Sequence, residues 1–307
     1  MIGGPTGIGK TELSIALAEI FHGGIISSDS MQIYRFMDIG TAKPGPGEQN
    51  RAPHYMIDVA DPDEPYDAAR YASEARACIA ELVNIGMVPF IIGGTGFYIK
   101  SLLYGLCEAR PSSPQIREQL RQELESSGSR FLYDRLTACD PQAAQRIHPN
   151  DVYRVIRALE VYALTGQPMS EYQQAHGFLE APFDVLKFCL TIEREKLYER
   201  INQRVDQMVS QGLLGEVRDL LKKGYSEDLK SMKSLGYRHM VDFIRGRCSW
   251  DEAICLMKRD TRRYAKRQLV WFRKDPEFIW RDPADMESIQ LEISKFLGLE
   301  SPRELKG

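Results

Sequence analysis

A glycine-rich segment near the beginning of the chain constrains the fold most strongly. It leads directly into a helical pattern of apolar residues, and it reads Gly4-Pro5-Thr6-Gly7-Ile8-Gly9-Lys10-Thr11. The pattern G-x-x-x-x-G-K-[ST] is typical of a loop that joins a strand to a helix and binds phosphate. Its backbone N–H groups, the helix N-terminus and the Lys10 charge attract a phosphate group, and the Thr11 hydroxyl is placed to hold Mg²⁺. The segment therefore predicts a phosphorylated ligand and an α/β fold.

Short apolar runs predict the other strands of this fold. Separated by helical or loop segments, they are Ile25-Ile26, Tyr55 to Ile57, Phe90 to Ile92, Leu186 to Ile192 and Phe278 to Trp280. This alternation indicates a parallel sheet flanked by helices. The phosphate loop also needs a strand before it, and only three residues precede Gly4. Either the first strand is therefore very short, or the true start codon lies upstream.

The middle of the chain interrupts the strand pattern. Between the breaker-rich borders Pro111-Ser112-Ser113-Pro114 and Ala181-Pro182, the sequence is helical throughout and contains no strand signal. Pro149-Asn150-Asp151 offers an N-cap to one of these helices. The sequence predicts a phosphate-loop core at 1–112 and 183–307, with an inserted all-helical domain at 113–182.

Overall composition points to a cytoplasmic protein without a membrane segment. The chain has 307 residues and a formal net charge of −3 at pH 7. It contains no run of 18 apolar residues and no signal peptide pattern. The average charge, taken alone, argues against a nucleic-acid partner.

A local run of positive charge reverses that expectation. Between Lys258 and Lys274, eight basic residues stand against one acid, Asp260. Tyr264, Trp271 and Phe272 are interleaved with the cations. A helix face that only meets solvent usually carries charges of both signs. The excess of positive charge here therefore favours a polyanionic partner over a merely solvated face.

Two strand ends carry the remaining candidate chemistry. The run Ile25-Ile26 is followed by Ser27-Ser28-Asp29-Ser30, which brings a carboxylate to the edge of the sheet where the ligand is expected. Asp29 is a candidate metal ligand, general base or helix cap. The run Phe90 to Ile92 ends in Gly93-Gly94-Thr95, where many phosphate-loop NTPases carry an acid. A kinase that uses ATP at the loop, and a nucleotide-gated RNA-binding protein without covalent chemistry, are the two rival classes.

Several longer motifs resemble one enzyme family. They are GPTGIGKT, IISSDSMQIYR followed by MDIGTAKP, GGTGFYI, HPNDVYRVIRALEVY and RRYAKRQLVWFRK. Together they resemble the bacterial tRNA dimethylallyltransferases, also called tRNA isopentenyltransferases, over nearly the whole chain. The resemblance implies transfer of a dimethylallyl group from dimethylallyl diphosphate to the exocyclic amine of an adenine adjacent to the anticodon, with release of diphosphate.

The resemblance also implies roles for individual residues. Asp29 corresponds to the general base, Thr95 to a neighbour of the reacting centre, and Arg194 to the arginine that steadies the diphosphate. The donor's diphosphate would lie on Gly4, Thr6, Gly7, Ile8, Gly9, Lys10 and Thr11, with Mg²⁺ on Thr11. ATP would then act at most as a competitor.

The tRNA partner is expected to bind through its anticodon stem-loop, with the target base flipped into a channel. The positions that match the family's RNA contacts are Asp29, Ser30, Met31, Gln32, Thr95, Arg117, Tyr153, Arg154, Arg157, Lys233, Arg238, Lys266, Arg267 and Arg273. The expected enzyme is a monomer.

Overall fold

The structure is a computed structural model that describes residues 1–105, 113–176 and 183–299. Two compact units divide the chain: Met1–Leu102 together with Phe183–Gly307, and Leu103–Pro182. The predicted domain borders at 112 and 182 lie outside the described residues.

A six-stranded sheet forms the first unit. All neighbouring strands are parallel, in the order β3-β2-β4-β1-β5-β6. The strands are β1 Ile2–Gly3, β2 Gly23–Ser28, β3 His54–Tyr55, β4 Val88–Gly93, β5 Phe188–Leu190 and β6 Ile279–Arg281. The predicted parallel α/β fold is confirmed, and β1 is very short.

The strand bounds differ from the predicted runs at several ends. Tyr55 to Ile57 was predicted as strand, but β3 ends at Tyr55 because Met56 adopts a φ of 62°, in the left-handed region. The run Leu186 to Ile192 contains only the three strand residues of β5, and Phe278 precedes β6.

Helices surround the sheet and make up the second unit. Within the described residues they are α1 Lys10–Ile20, α2 Pro46–Gln49, α3 Ala68–Asn84, α4 Gly96–Tyr104, α5 Pro114–Cys139, α6 Pro141–Arg146, α7 Val152–Thr165, α8 Met169–His176, α9 Arg194–Ser210, α10 Leu213–Lys222, α11 Tyr237–Ile244, α12 Trp250–Phe272 and α13 Met286–Leu297. Helix α10 begins directly after Gly212, whose φ of 100° turns the chain out of the end of α9.

The core of the first unit lies between the sheet and helices α1, α9, α12 and α13. Its buried members include Ile2, Leu17, Phe90, Phe188 and Ile201. Strand β1 pairs with β4 on one side and β5 on the other, so both of its residues are buried. The carboxyl ends of β1, β2 and β4 therefore lie side by side at one edge of the sheet.

The second unit has its own apolar core, which includes Leu120, Leu132, Leu136, Val155 and Leu159. No strand occurs between residues 113 and 176. Helix α5 is interrupted at Gly128, whose φ and ψ are 82° and 167°. Asp151 caps α7 as predicted, since its carboxylate accepts a hydrogen bond from the Arg154 N–H.

None of the helices in the described parts of the chain is both long enough and apolar enough to cross a bilayer.

Candidate functional site

The glycine-rich loop connects β1 to α1 and curls around its own lysine. Gly9 has a φ of 100°, which residues with a Cβ rarely adopt, and it directly precedes Lys10, the first residue of α1. The Lys10 Nζ donates hydrogen bonds to the carbonyl oxygens of Gly4, at 3.0 Å, and Pro5, at 2.8 Å. The ammonium group is therefore held inside the loop, beside the start of a helix.

Lys10 lies in an environment that disfavours its charge. Burial, followed by repulsion from Arg204, lowers the pKa of Lys10 from 10.5 to about 8, while Asp29 opposes this shift. Burial also lowers the pKa of Arg204, whose Nε is buried and finds no hydrogen-bond partner in the described parts of the chain. Lys10 and Arg204 are thus neighbouring cations whose charged forms are disfavoured. An anionic ligand bound beside them would stabilise both charges.

Two adjoining cavities open at this edge of the sheet. The first has a volume of about 930 Å³ and is lined by the glycine-rich loop, residues 38, 39 and 41–46, and the polar face of α9. The second, of about 320 Å³, is lined by apolar side chains such as Ile201, Val205 and Met257 together with the cations Lys233, Arg238 and Arg267. The residues that line both cavities are Thr6, Asp29, Thr41, Arg204, Met208 and Tyr264.

Asp29 follows β2 directly and faces both cavities. Its Oδ1 accepts a hydrogen bond from the Met31 N–H at 2.9 Å, which stabilises a turn. The helix-cap interpretation of Asp29 is wrong, because residues 30–36 form turns and a bridge rather than a helix. Burial and the Asp29 charge both raise the pKa of Tyr264, which lines the same junction.

Thr95 lies two residues after the end of β4 and contacts the residues on both sides of Asp29. Its Oγ1 accepts a hydrogen bond from the Ser30 N–H at 3.0 Å, and its own N–H donates to the Ser28 carbonyl at 3.1 Å. Thr95 does not line either cavity. Its contacts therefore suit a residue that holds the Asp29 segment in place.

The structure does not bring Arg194 into the cavities. Its guanidinium lies 5.1 Å from the ring centre of Tyr198, on the same helix. Two other arginines of α9 lie at the loop: Arg200, whose Nη1 donates to the Ile8 carbonyl at 3.3 Å, and Arg204. The sequence pattern that could have indicated these two arginines is the polar face of α9. On it, Arg200, Arg204 and Gln207 recur at helical spacing beside a buried apolar stripe.

Gln268 is a further residue of the site that the sequence did not indicate. It is buried on α12, where its Oε1 accepts the Thr6 N–H at 2.9 Å and its Nε2 donates to the Gly94 carbonyl at 2.9 Å. One side chain thus joins the glycine-rich loop to the end of β4. Because both partners are distant in sequence, the motif RRYAKRQLVWFRK gave no sign of this role.

The remaining predicted contact residues of the first unit occupy different places. Ser30, Met31, Lys233, Arg238 and Arg267 line the second cavity, and Gln32 lines the first. Lys266 and Arg273 are exposed outside both cavities.

The predicted contact residues of the second unit lie on or near α7. Tyr153 is 79% exposed, and Arg154 forms an ion pair with Asp151. Arg117 and Arg157 both bind the buried carboxylate of Glu160, at 2.9 and 2.6 Å. These two arginines have a structural partner, and their contact with RNA remains a prediction.

The basic segment of α12 is less positive than its sequence suggests. Asp260 contacts Arg238, Arg259 and Arg263. Burial acts to raise the pKa of Asp260, but hydrogen bonds from Arg259 and His239 and the charge of Arg238 lower the pKa to about 2. Lys258 pairs with Asp206. The positive charge that remains for a partner is therefore concentrated toward Lys266, Arg267 and Arg273.

The fold and the two cavities define an α/β protein with a cavity lined by buried cations at the carboxyl ends of a parallel sheet. The sequence model of the IPP transferase family matches residues 32–275. The chain belongs to that family.

Individual relatives match over nearly the full chain. A tRNA dimethylallyltransferase of Desulfatibacillum aliphaticivorans is 54% identical over 297 residues, which cover 97% of each chain. A tRNA dimethylallyltransferase of Desulfosudis oleivorans is 52% identical and covers 96% of this chain and 94% of the relative. The crystal structure of a tRNA isopentenylpyrophosphate transferase from Bacillus halodurans has 39% sequence identity and a TM-score of 0.72, with 97% and 95% of the two chains covered.

Proposed function

We propose that this chain transfers a dimethylallyl group from dimethylallyl diphosphate to the exocyclic amine of an adenine adjacent to the anticodon of tRNA. The bond from the prenyl carbon to the diphosphate oxygen breaks, a carbon–nitrogen bond forms, and diphosphate leaves. The observation that carries the proposal is the position of Asp29, which faces a cavity with an anion site and a second, more apolar cavity. The names of the similar chains support the substrates.

The first cavity suits the donor. The leaving diphosphate gains negative charge as the carbon–oxygen bond breaks, and Lys10 and Arg204 supply positive charge next to the backbone of the glycine-rich loop. The buried Arg204 Nε has no hydrogen-bond partner among the described residues, so a phosphate oxygen is a fitting acceptor.

The second cavity suits the acceptor base. A volume of about 320 Å³ is within the range of small ligand sites, and Ile201, Val205 and Met257 offer an apolar surface for a flipped adenine. The exocyclic amine must lose a proton as it attacks, and a carboxylate at the junction of the cavities can accept it. Asp29 is thus proposed as the general base, with Thr95 holding the segment that carries it.

Mg²⁺ is the proposed cofactor. Within the described residues no group of three acidic, cysteine or histidine side chains could form a complete metal site. Thr11 and Asp29 line the cavity of the glycine-rich loop, and Mg²⁺ commonly binds few protein oxygens together with substrate phosphates and water. The ion would neutralise charge on the diphosphate. Both cavities belong to one chain, so we further propose a monomer, acting in the cytoplasm where tRNA is found.

The released product tests the reaction class. We expect one diphosphate to be released for each tRNA modified when the protein is incubated with Mg²⁺, unmodified tRNA and dimethylallyl diphosphate. ATP in place of the prenyl donor should give no phosphate release coupled to RNA. Stoichiometric ATP hydrolysis or phosphorylation of the RNA would instead support the kinase class.

Donor affinity should depend on pH through Lys10. Because the pKa of Lys10 is about 8 in the free protein, its charge is present below that pH and lost above it. Donor affinity should therefore fall as the pH rises from about 7 to about 9.5, by up to about tenfold per pH unit above the pKa. Lys10→Arg should abolish the decline, since arginine stays protonated. An unchanged decline in that variant, measured by calorimetric titration, would assign the effect to another group.

Affinity for tRNA should fall steeply with salt, because exposed cations of α12 are the proposed phosphate contacts. If Lys266, in α12, and Arg273, directly after it, each neutralise one phosphate, the double variant Lys266→Ala with Arg273→Ala should reduce the slope of log K against log salt by about 1.4 to 1.8. Filter binding at several salt concentrations measures this slope. The matched control, Lys222→Ala with Lys295→Ala, removes two exposed charges elsewhere and should leave it unchanged. Equal slopes for both double variants would contradict the assignment.

A further inference from the structure

A single carboxylate holds the loop that separates the two cavities from α10. Glu216 lies in the first turn of α10. Its Oε2 accepts the N–H groups of Asp38, at 2.9 Å, and Ile39, at 2.7 Å. Its Oε1 accepts the Gly40 N–H at 3.1 Å and the Tyr237 hydroxyl at 2.6 Å. Three successive backbone donors of one segment therefore converge on one side chain.

The segment so held, residues 38–42, is referred to as the clamped loop. Its middle has no room for a larger residue, because a Cβ at Gly40 would lie 2.5 Å from the ring of Tyr237. Its end is strained, because Ala42 has a φ of 45°. Such a conformation persists only where surrounding contacts hold it.

The clamped loop reaches the candidate site in two ways. Asp38, Ile39, Thr41 and Ala42 line the first cavity, while Gly40 and Thr41 line the second. The carbonyl oxygens of Thr41 and Ala42 also accept hydrogen bonds from the Gln32 Nε2, at 3.3 and 3.1 Å.

Gln32 connects the clamped loop to the segment that carries the carboxylate at the junction. Its Oε1 accepts a hydrogen bond from the Ser27 hydroxyl at 3.0 Å, at the end of β2 and two residues before Asp29. A continuous series of hydrogen bonds thus runs from α10 through the clamped loop and Gln32 to the strand end.

We propose that Glu216 is a positioning residue for prenyl transfer: it fixes the clamped loop, and through Gln32 the walls of the cavities around Asp29. The expected effect on the transfer rate rests on the proposed function. Glu216 does not line either cavity, so it acts through the loop rather than on a substrate. Charge-assisted hydrogen bonds to backbone N–H groups are among the stronger ones, which suits a residue that holds a strained segment.

Glu216→Gln tests the role with a nearly unchanged shape. An amide has one acceptor oxygen and one NH₂ group, so at least one of the three backbone donors loses its acceptor. We expect amide hydrogen exchange in peptides covering residues 37–43 to accelerate by about tenfold or more, while peptides covering residues 4–11 stay unchanged. The single-turnover rate at saturating substrates should fall by about tenfold, and donor affinity should change by less than about threefold.

Two further variants keep the test decisive. Glu195→Gln makes the same change in the first turn of α9, at an exposed residue, and should alter neither exchange nor rate. Tyr237→Phe removes only the hydroxyl donor and leaves the three backbone bonds, so it should retain the rate within about twofold. If Glu216→Gln is too unstable to purify, Glu216→Asp, which shortens the same carboxylate, takes its place with the same expectations.

The exchange and kinetic results separate the possible failures. Faster exchange over 37–43 with an unchanged transfer rate, or unchanged exchange, would overturn the positioning role. A lower rate that is fully explained by unfolding at the assay temperature would do the same. Absence of prenyl transfer by the unmodified protein would overturn the proposed function, whereas the exchange experiment would still report on the loop.

Discussion

Asp29→Asn should reduce the rate of prenyl transfer by roughly 10² to 10⁴, the usual effect of removing a general base. The amide keeps the shape of the side chain and one oxygen that can accept the Met31 N–H, but it cannot accept the proton of the attacking amine. Folding and donor binding should therefore stay nearly normal, with the free energy of unfolding changed by less than about 1 kcal/mol. A single-turnover measurement under saturating substrates isolates the chemical step.

The control for this variant is Asp63→Asn, the same chemical change at an exposed residue away from the cavities. Its rate should equal that of the unmodified protein. If Asp29→Asn transfers the prenyl group within about threefold of the unmodified rate, Asp29 has no part in the mechanism. A large loss of thermal stability would likewise indicate that the turn contact, rather than proton transfer, explains the residue.

Lys10→Ala should weaken donor binding by about 10- to 100-fold, the consequence of losing one buried, charge-assisted contact with the diphosphate. The affinity for tRNA should change little, because the proposed RNA contacts lie on other side chains. Calorimetric titration with dimethylallyl diphosphate and filter binding with tRNA measure the two affinities separately.

Lys295→Ala serves as the control for Lys10→Ala, since it removes an exposed lysine near the end of α13. Both of its affinities should remain as in the unmodified protein. An equal loss of donor and RNA affinity in Lys10→Ala would contradict the separation of the two substrates, because it would indicate a general disturbance of the fold.

Much of the fold was predictable because it depends on local sequence. The glycine-rich loop, the apolar runs and the helical insertion each carry a local pattern, and each predicted run of apolar residues overlaps a strand. Strand ends were less predictable. Met56 continues an apolar run, yet its backbone turns away from β3, and nothing in a pattern of apolar residues indicates a positive φ.

Local sequence patterns indicated the candidate site where it follows a strand end, whereas Lys233, Arg238 and Arg267 of the second cavity were indicated only by the family resemblance. Asp29 and Thr95 were found because parallel strands bring their carboxyl ends to one edge of the sheet. Arg204, Gln268 and Glu216 act on segments distant in sequence, so their partners become apparent only in the folded chain. Arg194 was assigned its role only through the family resemblance, whereas the face of α9 that meets the loop, with Arg200 and Arg204, depends on packing.

The central claim is that one chain joins a prenyl donor to an adenine of tRNA at the junction of two cavities. The most direct test is mass spectrometry of an unmodified anticodon stem-loop RNA after incubation with the protein, Mg²⁺ and dimethylallyl diphosphate, followed by nuclease digestion. The account predicts that one adenosine next to the anticodon gains a single C₅H₈ group. No mass gain, or a gain on a phosphate or on another base, would contradict it.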